Sequence, residues 1–122
     1  MMNESKEQKL LFQWSEWYAK QYPEVKLMFH IPNGGSRNPI EGRHLKEQGV
    51  KAGVPDVFLP VARKGCHGLF IEMKRAKGGV LSQFQRDYIE ALMKEGYSCA
   101  VCHGFDEAKR VIEEYLKGEK EC

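Results

Sequence analysis

The sequence lacks any long hydrophobic run, and no segment approaches the roughly 18 to 20 consecutive apolar residues that a membrane span needs. Residues 1–8 are polar and acidic, and they contain no apolar core of the kind that a secretory signal requires. We therefore expect a cytoplasmic protein with no membrane partner. The 42% hydrophobic and 30% charged composition is that of an ordinary globular domain, which excludes the disordered and fibrous classes.

Cysteine is scarce, and neither sign of charge is in large excess. The four cysteines, Cys66, Cys99, Cys102 and Cys122, do not indicate a disulfide framework in a cytosolic chain. A net charge of +2 is weak evidence for a nucleic-acid partner. Lys and Arg nevertheless outnumber Asp and Glu between residues 37 and 77. This basic segment either faces a polyphosphate substrate or is a solvated charged surface.

Hydrophobic periodicity and turn residues predict one domain that spans residues 1–122. The predicted helices are 4–21, 40–48, 82–95 and 106–117, and the predicted strands are 25–31, 56–61, 68–74 and 97–102. In the helix 82–95 we expect Phe84, Tyr88, Ile89 and Leu92 to face inward. The predicted order is α-β-(α)-β-β-α-β-α, which indicates an α/β fold with a mixed central sheet flanked by helices.

The third predicted strand carries a carboxylate and an ammonium on one face. Side chains alternate along a strand, so Glu72 and Lys74 point the same way. Asp56 begins the neighbouring strand of a predicted hairpin, and two carboxylates converge near one amine if Asp56 lies opposite Glu72. Such a pair suits a hard divalent cation such as Mg²⁺. By spacing alone, a solvated Glu-Lys pair on an edge strand is the more common explanation.

The wider pattern resembles a known nuclease signature. Pro55-Asp56, fifteen intervening residues and Glu72-Met73-Lys74 resemble the PD-(D/E)XK superfamily. More narrowly, nearly the whole chain resembles the VRR-NUC family of small phage and bacterial nucleases. The resemblance is carried by Glu4 and Gln8 and by the segments 30–35, 49–58, 68–74, 81–85 and 96–108.

The resemblance implies a restriction-endonuclease-like α-β-β-β-α-β core and a metal-dependent DNA endonuclease. Asp56, Glu72 and the main-chain carbonyl of Met73 would hold Mg²⁺ or Mn²⁺, and Lys74 would be the catalytic lysine. The resemblance also implies structure-selective cleavage, for example of branched DNA, in a bacterial or phage-infected host cell. The Val-Arg-Arg triplet of the family's name is absent from this sequence, so substrate preferences of its subfamilies are not carried over.

The resemblance further suggests a carboxylate from the first helix and a glutamine beside the lysine. Glu4 is our choice for the carboxylate, because Glu4 and Gln8 are one helical turn apart, and Glu7 is the competitor. Gln85 is the glutamine, as an active-site helper. Ser82 to Gln85 also fits a capping box, which needs no catalysis, and the sequence leaves both interpretations open.

DNA contacts are expected from a Gly-rich loop and from the basic segment, although each residue alone also fits a plain turn or a solvated charge. These candidates are Asn33, Gly34, Gly35, Arg37, Arg43, Lys46, Lys51, Arg75 and Lys77. A domain this small can hardly enclose a DNA junction alone, so we expect a homodimer.

Two other functions compete with the nuclease. The same basic face fits a DNA-binding module without turnover. The run from Cys99 to His103 matches the C-x-x-C-H pattern of haem attachment or a redox pair. On a strand, Cys99 and Cys102 point to opposite faces, and there is no export signal, so we expect no haem.

Overall fold

The computed structural model describes residues 3–32, 38–119 and 121–122. In these ranges the main helices and strands follow one another in the predicted order. The helices are α1 (Glu4–Tyr18), a 3₁₀ helix (Pro23–Leu27), α2 (Pro39–Glu47), α3 (Gln83–Lys94) and α4 (Phe105–Leu116). The strands are β1 (Phe29–His30), β2 (Val57–Leu59), β3 (Leu69–Lys74) and β4 (Ser98–His103). No helix in these ranges is both long and apolar enough to cross a membrane.

The strands form one mixed sheet in the order β1-β2-β3-β4. The pairs β1-β2 and β2-β3 are antiparallel, as a hairpin requires, and β3-β4 is parallel because α3 crosses over between them. The α/β fold with a mixed sheet is therefore confirmed.

The central strand β3 is buried along its whole length, and its two faces differ in chemistry. Leu69, Ile71 and Met73 are at most 1% exposed and belong to the core beneath α1 and α4. The alternate side chains include Glu72 and Lys74, and both are buried as well. The sheet thus has an apolar face that stabilises the fold and a second face that contains buried charges.

The strand predicted at 25–31 is mostly wrong, because its first part is the 3₁₀ helix Pro23–Leu27. Pro23 suits the first position of a helical turn. Val25 and Met28 are both buried, and their three-residue spacing is helical rather than alternating. Only the two residues of β1 pair with β2.

The inward side of α3 is also less buried than predicted. Phe84 is 70% exposed, so the prediction that it faces inward is wrong. Tyr88, Ile89 and Leu92 are half-buried, and α3 has no fully buried residue. The apolar stripe that periodicity identifies is therefore only partly covered by the sheet.

The expectation that the cysteines form no disulfide is wrong for one pair. Cys66 and Cys122 are bonded, with their Cα atoms 5.1 Å apart. Cys66 lies in the β2-β3 turn, and the Cys122 N–H donates to the Lys64 carbonyl, so the turn and the chain end meet in space. The 56 residues that separate the cysteines conceal this contact in the sequence.

Candidate active site

Asp56 and Glu72 face each other across the β2-β3 hairpin. Val57 pairs with Ile71 in the antiparallel register, and one further step places Asp56 opposite Glu72. The main-chain N–H of Met73 donates to Asp56 Oδ2 at 2.8 Å, which holds the Asp56 carboxylate at the end of β3. The structure therefore brings together the two carboxylates that the sequence nominated.

Glu72 is a buried carboxylate, and one of its two oxygens accepts a hydrogen bond. Its side chain is 3% exposed, and its Oε2 accepts a hydrogen bond from Gln85 Nε2 at 3.0 Å. Its buried Oε1 meets no hydrogen-bond donor in the described part of the chain. Burial raises the pKa of Glu72 from 4.5 to about 8, and the negative charge of Asp56 and a hydrogen bond to Asp56 add to this rise. The positive charge of Lys74 lowers the pKa and opposes the rise.

Lys74 ends β3 on the same face as Glu72. Its Nζ lies 3.7 Å from Glu72 Oε2 and donates to Gln85 Oε1 at 3.1 Å. The main chain at Gly79 covers the aliphatic stem of this lysine, because a Cβ at Gly79 would lie only 2.8 Å from Lys74 Cβ. The ammonium is thus held in one place at the edge of the acidic pair.

Gln85 takes part in both arrangements that the sequence left open. Its backbone N–H donates to Ser82 Oγ, and its side-chain Oε1 accepts from the Ser82 N–H, so the capping box is present. The same side chain contacts Lys74 and Glu72. The side-chain amide of Gln85 therefore belongs both to the cap of α3 and to the candidate site.

The two carboxylates of the first helix have different surroundings. Glu7 is 6% exposed, and its Oε2 accepts a hydrogen bond from the Phe105 N–H at the start of α4. Glu4 is exposed in the first turn of α1, and its negative charge contributes to the raised pKa of Glu72. This geometry favours Glu4 over Glu7 as the first-helix member of the site.

One histidine that the sequence left without a role contacts this region. His30 Nδ1 lies 2.8 Å from the Asp56 carbonyl oxygen, which also accepts a hydrogen bond from the Ile31 N–H. The main chain that carries Asp56 is therefore fixed by β1 as well as by β3. The place of His30 in the segment 30–35, which carries part of the family resemblance, was the available signal in the sequence.

The candidate DNA contacts divide into two groups. Asn33, Gly34, Gly35 and Arg37 lie outside the described residues. The others are exposed: Arg43 and Lys46 on α2, Lys51 before β2, and Arg75 and Lys77 directly after Lys74. The last two place positive charge next to the lysine of the site.

The cysteines of the C-x-x-C-H pattern point to opposite faces of the sheet. Cys99 Sγ lies 3.9 Å from the Ile89 carbonyl oxygen on α3, whereas Cys102 is buried in the core beside Met73. The two thiols cannot share one haem or one metal ion from these positions.

The available ligands suit Mg²⁺ or Mn²⁺ better than zinc. In the described ranges, no group of three or more His, Cys, Asp or Glu side chains lies close enough to hold a metal ion. Asp56 and Glu72 are a pair of oxygen donors, and Glu72 Oε1 is a buried acceptor without a donor. The carbonyl of Met73 faces the same neighbouring strand as its N–H, which meets Asp56. Two carboxylates and a carbonyl are oxygen donors of the kind that Mg²⁺ or Mn²⁺ would accept, with water as the remaining ligands.

A mixed sheet between helices, with this acidic pair and lysine at the end of its central hairpin, defines the PD-(D/E)XK class of folds. Comparison with known proteins is more specific. The model of the VRR-NUC domain matches residues 3–106, and the chain belongs to the VRR-NUC family. The family implies a nuclease-type role in DNA processing.

A solved structure described as a VRR_NUC domain protein has the same architecture. It is 32% identical in sequence and superimposes with a TM-score of 0.80, covering 97% of this chain and 91% of the other. A search of curated proteins finds no match.

Proposed function

We propose that this protein is a metal-dependent DNA endonuclease that hydrolyses phosphodiester bonds at Asp56, Glu72 and Lys74. The observation that carries the proposal is the buried Glu72 Oε1, which has no donor although it lies beside a second carboxylate and an ammonium. Leaving a buried carboxylate oxygen without a partner is costly, and a cation at this oxygen removes the cost.

Each group then has a part in the reaction. Asp56, Glu72 and the Met73 carbonyl would hold Mg²⁺ or Mn²⁺, which supplies Lewis acidity to a phosphodiester. Lys74 Nζ orients the attacking water and stabilises the negative charge that develops on the phosphoryl oxygens. Water attacks phosphorus, the bond from phosphorus to the 3′ oxygen breaks, and the proton that the water loses ends on the 3′ oxygen, which leaves a 5′ phosphate and a 3′ hydroxyl. Glu4 adds a further carboxylate at the rim of the site.

The direct test is cleavage of a panel of linear, flap, forked and four-way DNAs with Mg²⁺, Mn²⁺ or chelator. Lys74→Ala and Asp56→Asn should each lower kcat about 100-fold or more while DNA binding persists. Lys94→Ala is the matched control, because Lys94 is an exposed lysine paired with Glu90. If neither chelation nor Lys74→Ala reduces cleavage, the nuclease proposal fails. Binding by the wild-type protein without turnover would instead establish the DNA-binding module.

The panel also tests structure selectivity, which we propose as preferential cleavage of branched DNA. A protein that selects junctions should cut forked and four-way DNAs at least about tenfold faster than linear duplex of the same length, a difference of about 1.4 kcal/mol. Equal cleavage rates on all substrates would refute the proposed structure selectivity but would still agree with nuclease activity. The proposed setting is the cytoplasm of a bacterial or phage-infected cell, where such DNA is present.

The proposed assembly is a homodimer that places two sites on one branched substrate. Ile40, Val80 and Phe84 are 65%, 73% and 70% exposed; Val80 lies just before the capping box of α3 and Phe84 lies within it. Exposed apolar side chains next to a site are typical of an interface. Sedimentation should give a dimer that Phe84→Glu dissociates, whereas Met93→Glu, at an exposed position near the other end of α3, should not. A wild-type monomer mass at all concentrations would refute the dimer.

A further inference from the structure

The Gln85 side-chain amide contacts three groups, two hydrogen-bond donors and one acceptor. Its Oε1 lies 2.9 Å from the Ser82 N and 3.1 Å from Lys74 Nζ, and its Nε2 lies 3.0 Å from Glu72 Oε2. A side-chain amide can take two orientations that exchange oxygen and nitrogen, and its neighbours decide between them. The Ser82 main-chain N–H can only donate, so the atom that faces it must be the oxygen.

We infer that Ser82 is a positioning residue of the active site, which acts through Gln85. Its N–H fixes the amide so that Oε1 receives Lys74 and Nε2 donates to Glu72 Oε2. Glu72 Oε1 is then the oxygen left to face a ligand. The inference rests on the proposed nuclease function, and it assigns the capping box of α3 a role that helix stability alone does not require.

The packing around the first turn of α3 supports this role. A Cβ at Gly53, which has a φ of +90°, would lie 2.6 Å from the Phe84 carbonyl oxygen, so the segment before Asp56 packs against the main chain of that turn. On the other side, Gly79 packs against the stem of Lys74. The turn that carries Gln85 thus packs against the segment before Asp56, and its side chain contacts the lysine that Gly79 packs against.

A glutamate at position 85 separates helix capping from positioning. Glutamate is as good a partner as glutamine in a capping box, so Gln85→Glu should keep the cap of α3 and the helix content measured by circular dichroism. Its carboxylate accepts from Ser82 and Lys74 but cannot donate to Glu72. We expect kcat to fall about tenfold or more with KM unchanged, because a hydrogen bond made by a charged group is lost. Unchanged kcat in Gln85→Glu would overturn the proposed polarity.

Four variants at Ser82 and Gln85 test whether Ser82 acts through the amide: two single changes of Ser82, Gln85→Ala, and Gln85→Ala combined with Ser82→Pro. Ser82→Ala keeps the N–H and should change kcat less than about threefold. Ser82→Pro removes the N–H at a φ of −76° that proline accepts, and it should lower kcat about tenfold. Adding Ser82→Pro to Gln85→Ala should lower kcat no further. An equal loss by Ser82→Ala and Ser82→Pro, or a full additional loss in the double variant, would show that Ser82 only stabilises the helix.

Nuclear magnetic resonance of the wild-type protein gives a measurement that needs neither folding of the proline variant nor activity. The Gln85 Nε2 protons should show stronger Overhauser contacts to the Glu72 side chain than to the Ser82 amide proton. Stronger contacts to the Ser82 amide proton would mean the opposite amide orientation and would overturn the inference. This result holds even if the protein cleaves no DNA, so failure of the inference and of the proposed function are distinguishable.

Discussion

Glu7 and Phe105 are joined by a hydrogen bond in which the Phe105 N–H donates to Glu7 Oε2 at 2.8 Å, across 98 residues of sequence. The bond places a carboxylate at the N-terminus of α4, where the helix dipole favours negative charge. It also ties the first turn of α1 to the last helix, whereas Glu4, three residues earlier on α1, is exposed.

Replacing these two carboxylates should give opposite phenotypes. Glu7→Ala removes a buried acceptor and should lower the free energy of unfolding by about 2 kcal/mol, measured by denaturant titration without metal. Glu4→Ala should leave that free energy unchanged and lower the cleavage rate. If Glu7→Ala instead folds normally and loses activity, Glu7 is the first-helix carboxylate of the site.

The raised pKa of Glu72 predicts how the stability of the metal-free protein depends on pH. A carboxyl with a pKa near 4.5 when unfolded and about 8 when folded binds more protons in the folded state between these values. Its contribution to stability is present below pH 4.5 and is lost as pH rises to 8. Glu72→Gln should therefore gain roughly 3 kcal/mol over the wild type between pH 5 and pH 8 in unfolding titrations. A constant difference would contradict the raised pKa of the buried Glu72 carboxyl, and Glu90→Gln is the exposed control.

Adding Mg²⁺ or Mn²⁺ should reverse this loss. A cation that binds the folded state raises its stability by mass action and displaces the proton from its ligand. At pH 8 the melting temperature of the wild type should therefore rise with metal concentration, and that of Asp56→Asn should rise far less. An equal rise in both proteins would place the metal elsewhere.

The disulfide makes stability depend on redox conditions. A bond that closes a loop over a sequence separation of 56 residues should contribute about 4 kcal/mol by restricting the unfolded chain. Cys122→Ser should lower the free energy of unfolding by about this amount under oxidising conditions and by little with reductant present. Cys99→Ser, which leaves the bond intact, is the control, and equal stability of Cys122→Ser and wild type in oxidant would argue against the bond.

The two free cysteines should be unreactive. Burial raises the pKa of Cys99 to about 11, and burial together with the charge of Glu107 raises the pKa of Cys102 to about 12, so neither forms much thiolate at pH 8. Thiol titration of the native protein at pH 8 should be slow in oxidant, and reductant should expose the faster Cys122. Rapid labelling of Cys99 or Cys102 would reopen a redox role for this pair.

Local patterns predicted the part of the site that depends on local geometry. The alternation of β3 places Glu72 and Lys74 on one face whatever surrounds them, and a hairpin brings Asp56 opposite. Both arrangements are found in the structure. The sequence left a capping box and an active-site position open as alternatives for Gln85, and in the structure one side-chain amide makes both sets of contacts.

Features that depend on distant contacts were not predictable. The disulfide needs the chain end to meet the β2-β3 turn, and the role of Glu7 needs α4 to begin beside α1. Residues 25–31 resemble a strand by length and composition, but the burial of Val25 and Met28 together favours a helical turn at the start of this segment. Phe84 fits an inward stripe on α3, yet no element of the described chain covers it.

The close approach of Gly79 to Lys74 should also be visible in the tolerance of this position to substitution. A Cβ there would overlap the lysine stem, although φ at Gly79 is not in the left-handed region. A saturation library selected for DNA cleavage should therefore retain glycine at position 79, and one selected for folding alone should accept alanine there. The need to place Lys74 correctly would then restrict substitution at a residue that itself has no side chain.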